Sequence, residues 1–198
     1  MIKKLNLKKI LVILFIIKSL KVKAEFGRFG LEGGIISGGL SGNTVGFFSG
    51  NSINYNLSIW MEHWIIHREE NSSQIALGYQ VKLNYNSYSL SAVSISETTV
   101  PLLFKICPLG QTSWSDGIEY RVDFFVGPQI GFYNISGGTF DQSSGKDYSI
   151  LLGGSICMSK SSLISLSLYK QIGLTKFTSS QTTSTLSGLT LSLGFSFN

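Results

Sequence analysis

The sequence lacks any apolar stretch of the roughly 18 residues that a membrane-spanning helix needs. Its longest unbroken apolar run, residues 10–17, follows four lysines and is followed by Val22, Lys23 and Ala24. This pattern is typical of a secretory signal peptide cleaved after Ala24, with an uncleaved membrane anchor as the alternative. We therefore expect a signal peptide over residues 1–24, export through the Sec pathway, and one mature domain over residues 25–198.

Charged residues are scarce as well. All 11 acidic residues but only 9 of the 16 basic ones follow residue 24, so the mature chain carries a net charge of −2 in place of +5. Twenty charges are about half the share found in soluble domains. Because the basic character belongs to the discarded segment, the sequence predicts no nucleic-acid partner.

Only two cysteines are present, Cys107 and Cys157. An exported chain enters a compartment in which a disulfide can form. The two residues fall on the fourth and sixth predicted strands, which puts their Cα atoms about 9 to 10 Å apart. Since bridging needs a separation below roughly 7 Å, we predict two free, buried thiols.

The sequence is rich in strands of two-residue period. The last ten residues, LTLSLGFSFN, place Leu189, Leu191, Leu193, Phe195 and Phe197 on one side and small polar residues on the other. Similar alternation recurs along the chain, and no segment has the period of an amphipathic helix. The predicted strands cover residues 26–37, 44–55, 57–68, 95–107, 118–133, 147–159, 162–177 and 186–198.

The segments between these strands alternate in length. Short turns are expected near Asn56, near Ser161 and over residues 108–117, and polar loops over residues 38–43, 69–94, 134–146 and 178–185. Residues 74–88 also alternate, and we interpret them as the upper part of the 69–94 loop. An even number of antiparallel strands with this loop pattern predicts an all-β fold, an eight-stranded antiparallel up-and-down transmembrane β-barrel.

The composition of the two strand faces predicts which face meets lipid. The polar faces carry Ser, Gly and Thr, which suit the narrow interior of an eight-stranded barrel. Leu191, Leu166 and Phe124 are then expected to face the lipid of the cell outer membrane. Aromatic residues near strand ends would form girdles at the membrane surfaces. They are Trp114, Tyr120, Phe132, Tyr133, Tyr148, Tyr169 and Phe177.

A small set of charged residues occupies the polar faces. Glu62, Lys105, Glu119, Arg121 and Asp123 can all project into the lumen. Opposite charges would pair there, because an unpaired buried charge is costly. This predicts a barrel plugged by side chains, with a proton or ion path as the alternative.

The residues needed for catalysis or metal binding do not come together. On a strand, His63 and His67 lie about 13 Å apart, too far to share a zinc ion. Serines are abundant, but no histidine and acid accompany one of them in a recognisable pattern. The segment GTFDQSSGKD has neither the spacing nor the final Ser or Thr of a phosphate-binding loop. The sequence therefore predicts no catalytic residue, no cofactor and no metal.

Several segments resemble the PorT-like outer-membrane β-barrel domain family. They are VPLLFK (100–105), VGPQIG (126–131), YKQIGLT (169–175) and the final strand. Near the C-terminus, GFSF resembles the signal read by the outer-membrane assembly machinery, although Asn198 follows the last aromatic residue. The resemblance implies an eight-stranded barrel and an assembly-machinery partner, and it does not imply one activity.

Together these features favour a small integral outer-membrane barrel with a structural or protein-interaction role, accessory to secretion or envelope assembly. Its expected partners are outer-membrane lipid, the assembly machinery and another envelope protein, with the long loops as the binding surface. Two alternatives stay open. They are an outer-membrane lipid-modifying enzyme and a soluble exported barrel that binds a ligand.

Overall fold

A computed structural model describes most of the chain after residue 27. The described residues are 28–42, 54–66, 75–90, 93–108, 112–113, 119–137, 143–159, 163–178 and 183–197. The predicted signal peptide, residues 1–24, lies outside them. Within the described part, no helix is long and apolar enough to cross a membrane.

The described residues form eight long strands and one strand of two residues. These are β1 (Arg28–Gly42), β2 (Asn54–Ile66), β3 (Ala76–Leu90), β4 (Val93–Cys107), β5 (Thr112–Ser113), β6 (Glu119–Ser136), β7 (Ser144–Ser159), β8 (Leu163–Thr178) and β9 (Thr183–Phe197). Every pairing is antiparallel, β4 pairs with β6, and β1 pairs with β9 along almost its whole length. The strands thus close into a barrel without a free edge, and β5 only extends the pairing of β6. The predicted eight-stranded up-and-down barrel is confirmed.

One predicted turn is wrong and one strand was missed. Asn56 does not lie at a turn, because it sits inside β2 and pairs with both Gly34 and Asn86. Of the predicted strand 44–55, residues 44–53 lie outside the described residues. The segment interpreted as part of a long loop is β3, which pairs with β2 and β4 and is followed by a tight connection from Leu90 to Val93. Residues 76–90 of the predicted loop 69–94 are therefore strand and not a binding surface, and residues 69–74 lie outside the described residues.

The exterior of the barrel is apolar and the interior is polar over most of its length. Leu191, Leu166 and Phe124 are 43%, 50% and 52% exposed, whereas the neighbouring Ser192 and Asp123 are buried. The predicted orientation of the strands is confirmed. Apart from Lys170 on β8 and the half-buried His63 on β2, the outward side chains of this band are apolar, so the exterior suits hydrocarbon.

The aromatic girdles were predicted only in part. Phe132 and Tyr148 face outward, at 62% and 46% exposure. Tyr133, Tyr169 and Phe177 are buried inside the barrel, so their assignment to a girdle is wrong. Side chains alternate between the two faces of a strand, and each of these three falls on the face that points toward the lumen. Trp114 lies outside the described residues.

Candidate functional site

The lumen holds an ion-pair cluster at the end of the barrel that carries the start of β1. Lys105 forms ion pairs with Glu62 and with Asp123, the second at 2.9 Å. Arg121 contacts Glu62 at 3.0 Å and Asp123 at 2.8 Å. The structure thus brings four of the five predicted lumen charges together in a group of zero net charge. The side chain of Glu119, the fifth, lies outside what the structure describes.

An indole ring covers this cluster. Trp64 Nε1 donates a hydrogen bond of 2.8 Å to Glu62 Oε1, and the Arg121 guanidinium and the Lys105 ammonium lie 4.7 and 5.5 Å from the centre of a Trp64 ring. Cation–π contacts of this kind are strengthened when they are desolvated. The alternation of Trp60, Glu62 and Trp64 on one face of β2 could have revealed this contact from the sequence.

Both cysteines lie buried in the lumen and are free. The Cys157 thiol donates a 3.7 Å hydrogen bond to Asp123 Oδ2 and lies 3.9 Å from the Arg121 guanidinium. The thiol therefore borders the ion-pair cluster, on the strand β7 that pairs with the β6 strand of Arg121 and Asp123.

A second ion pair lies further along the lumen. Lys82 Nζ is 2.8 Å from Glu32 Oε2, and Ser192 donates a 2.7 Å hydrogen bond to Glu32 Oε1. The Lys82 ammonium also lies 5.1 Å from the centre of the Tyr169 ring. This ion pair was not predicted from the sequence, because the segment that contains Lys82 was interpreted as a loop.

A hydrogen-bonded network of amides surrounds Glu97 beyond this pair. Asn86 Nδ2 donates to Glu97 Oε2 at 2.9 Å, and Gln171 Nε2 donates to both Glu97 oxygens at 3.3 Å. Asn56 Nδ2 in turn donates to Asn86 Oδ1 at 2.6 Å. The amides fix the Glu97 carboxyl group in place without supplying a positive charge.

An apolar cluster closes the lumen at the end opposite the ion-pair cluster. Its members are Ile36, Leu40, Tyr88, Ile95, Tyr133, Ile135, Phe177 and Leu186. Tyr133 and Phe177 pack edge to face with ring centres 4.6 Å apart. We refer to this group as the apolar cap. It was not predicted, because small polar residues were expected to fill the interior.

The described lumen holds no constellation suited to catalysis. The half-buried His63 lies on the outer face of β2 against Tyr79, with ring centres 5.5 Å apart, and His67 lies outside the described residues. No group of three or more His, Cys, Asp or Glu side chains able to hold a metal occurs in the part of the chain that the structure describes. The arrangement therefore offers buried ion pairs and packing, and no nucleophile with an adjacent base.

Charge is distributed unequally between the two faces of the barrel. The five acidic side chains that the structure describes, those of Glu32, Glu62, Glu97, Asp123 and Asp147, are all buried. The exposed charged side chains of the described strands are Lys146, Lys170 and Lys176. All three lie on β7 and β8, so the outer charge is positive and confined to one side.

Solved structures of other proteins match most of this chain at low sequence identity. Neisserial surface protein A is 10% identical over 86% of this chain and 96% of its own, with a TM-score of 0.50. Ail, the attachment invasion locus protein of Yersinia pestis, is 10% identical over 86% of this chain and 99% of its own, with a TM-score of 0.41. A major outer membrane protein from Thermus thermophilus is 12% identical over 86% and 98%, also with a TM-score of 0.41.

No protein-family model matches the chain, and no curated protein matches it. The resemblance to the PorT-like family therefore stays a prediction. The fold itself is that of the outer-membrane β-barrels. Because a closed antiparallel barrel with an apolar exterior is the form in which strands cross that membrane, the protein is located in the cell outer membrane.

Proposed function

We propose that this protein is a plugged outer-membrane barrel with a structural or protein-interaction role in the cell envelope. The observation that carries the proposal is the filling of its interior. Ion pairs at one end, the Lys82–Glu32 pair and amides in the middle, and the apolar cap at the other end occupy successive levels of the lumen. A barrel filled in this way acts through its outer surface and its rims.

The outer surface supports a contact with anionic lipid. Extending the β7–β8 register beyond Ser149 and Gly173 sets Lys146 beside Lys176, on strands about 5 Å apart. Lys170 lies lower on β8, beside Leu189, where the apolar exterior of β9 begins. Lys146 and Lys176, at the upper border of the apolar band, meet the phosphates of outer-leaflet lipids, which attract them electrostatically.

The proposed role also includes contacts with other proteins. The candidate partner is another envelope protein, with the barrel as an accessory to secretion or envelope assembly. The assembly machinery is the expected partner of the C-terminal strand, β9, during insertion.

Channel recording is the first test of the proposal. The protein, purified from membranes in detergent, is inserted into planar lipid bilayers. We expect no steady ion conductance, because buried ion pairs leave no continuous water path. A stable, voltage-independent conductance from the wild-type barrel would overturn the plugged lumen and with it the proposed role.

Lipid binding tests the outer surface separately. Wild-type protein and the triple variant Lys146→Gln, Lys170→Gln, Lys176→Gln are purified from membranes in the same detergent, and the lipopolysaccharide bound to each is measured. We expect lipopolysaccharide to co-purify with the wild type and to be depleted in the variant. Equal lipopolysaccharide content in both proteins would exclude the lysines as its binding surface.

A further inference from the structure

The buried charges of the lumen do not balance. Lys105 and Arg121 neutralise Glu62 and Asp123, and Lys82 neutralises Glu32. Two buried carboxyl groups, those of Glu97 and Asp147, have no basic partner among the described residues. An uncompensated buried carboxylate is strongly unfavourable, so the folded barrel needs another source of positive charge at this point.

The two unbalanced carboxyl groups lie against each other. Glu97 and Asp147 are both fully buried, and their carboxyl groups lie close together with no donor between them while both are ionised. The amides of Asn86 and Gln171 stabilise Glu97 but are neutral. Lys146, the nearest basic residue in sequence, is exposed on the outer face.

Further buried oxygens without a donor surround the same point. Both Asp147 carboxylate oxygens, Thr99 Oγ1 and Gln129 Oε1 are buried and have no hydrogen-bond partner. In the strand register, Thr99 and Asp147 pair with Gly131 from its two sides, and Gln129 precedes Gly131 by two residues on the same face.

Gly131 leaves room on β6 for the side chain of Thr99, whose methyl group lies over the glycine. A Cβ at this position would lie 2.4 Å from Thr99 Cγ2, which is closer than real contacts allow. The glycine therefore lets the side chains of Thr99 and Asp147 approach each other across β6. Buried acceptor oxygens without a donor thus accompany two carboxyl groups for which the described residues supply no positive charge.

We propose that Asp147, Glu97 and Thr99 form a binding site for a divalent cation, and that the cation is Ca²⁺. A proton would satisfy one of these acceptors, whereas a cation satisfies several at once and its double charge matches the two carboxylates. Carboxylate and hydroxyl oxygens are ligands for hard cations. Among these, Ca²⁺ accepts an irregular oxygen set, whereas Mg²⁺ demands a near-ideal octahedron.

The apolar cap determines how the ion is exchanged. Tyr133, a member of the cap, pairs with Glu97 in the β4–β6 register, so the cap begins next to the site. A cation at this level is shielded from the nearer rim by packed rings and aliphatic groups. The ion is therefore bound as the barrel closes and leaves slowly from the folded protein.

Refolding in defined ions tests the site. The protein, purified in detergent, is unfolded in urea with EDTA and refolded with EDTA, CaCl₂ or MgCl₂ before desalting. We expect one Ca²⁺ per chain by atomic emission after refolding in CaCl₂, and a higher thermal midpoint than in EDTA. The variant Asp147→Asn is expected to lose both the bound Ca²⁺ and the difference in midpoint.

Two further variants keep the test decisive. Asp123→Asn makes the same change in the ion-pair cluster and is expected to lower the thermal midpoint while retaining one Ca²⁺. Thr99→Val removes one ligand at constant volume and is expected to weaken Ca²⁺ affinity roughly tenfold. A wild-type barrel that refolds without bound Ca²⁺, and whose midpoint falls with rising pH regardless of added ions, would show that the carboxyl groups share a proton and would overturn the proposal. This outcome is independent of the barrel's conductance and lipid contacts.

Discussion

The ring of Trp60 lies directly against the backbone of Gly30 inside the barrel. The two residues are partners across the β1–β2 pair, and a Cβ on Gly30 would lie 2.3 Å from Trp60 Cζ2. Trp60 is almost fully buried. The indole ring therefore occupies the space that any side chain at position 30 would need.

We expect Gly30→Ala to lower the free energy of unfolding by about 1 to 3 kcal/mol, because the ring must shift in a packed interior. Urea unfolding of the detergent-solubilised protein, followed by tryptophan fluorescence, measures the effect. Gly33→Ala is the matched control on the same strand, since the nearest atom to its added Cβ is Leu57 Cδ2 at 3.6 Å. Equal stability of the two variants would contradict the placement of Trp60.

The ion-pair cluster predicts a second stability difference, between two lysines. Lys105→Met leaves Glu62 and Asp123 with one cation fewer, so we expect a loss of about 3 to 5 kcal/mol in the free energy of unfolding. Lys176→Met removes an exposed lysine near the upper border of the outer face and is expected to change stability by less than about 0.5 kcal/mol. Urea titrations of the two variants in the same detergent measure the difference. Losses of similar size would show that Lys105 does not stabilise the barrel through the ion-pair cluster.

The outer face could be predicted from the sequence because its pattern is set by the membrane. Side chains in a strand alternate with a period of two, and hydrocarbon tolerates only apolar groups along one face. Phe124, Leu166 and Leu191 therefore carried enough information to fix the orientation of three strands. The closed barrel could also be predicted from the membrane, because an unpaired strand edge cannot face lipid.

The interior was harder to predict because the lumen accepts almost any side chain that finds a partner. Tyr133 and Phe177 face inward next to Glu97 and Asp147, and no local pattern distinguishes them from girdle aromatics. Partners in the lumen come from strands far apart in sequence, as with Lys82 and Glu32, which are 50 residues apart. Such pairs depend on the register of the whole barrel.

The interpretation of β3 as a loop was wrong for a different physical reason. Its lumen face reads Gln80, Lys82, Asn84 and Asn86, which are all buried here but are also typical of a loop. Only the opposite face, with Leu83 and Tyr85 exposed to lipid, marks the segment as membrane-spanning. In a barrel with a polar interior, polarity alone does not separate strand from loop.

The depth of a lipid-facing residue predicts the cost of placing a charge there. Leu166 and Leu174 are similarly exposed on β8, at 50% and 56%, and both face outward. Leu166 lies within the apolar band, whereas Leu174 lies close to Lys176 near its upper border. We expect Leu166→Arg to cost about 2 to 4 kcal/mol and Leu174→Arg about 0 to 1 kcal/mol in vesicles.

Unfolding with urea from phospholipid vesicles measures both arginine variants. Leu166→Ala and Leu174→Ala serve as references for the loss of the leucine side chain at each depth. A larger penalty at position 174 than at position 166 would show that the apolar band is centred nearer Leu174 than Leu166.

The two cysteines give a chemical test of the interior. Cys107 and Cys157 are at most 1% exposed, and neither forms a disulfide. Because a buried thiol cannot meet a bulky reagent, we expect a maleimide to label neither residue in the folded barrel and both after unfolding in urea. Intact mass spectrometry without reductant measures the labels and reports any disulfide through a mass deficit of two hydrogens. Rapid labelling of Cys157 in the folded protein would mean that water and reagents reach the ion-pair cluster, and it would refute a lumen closed at that end.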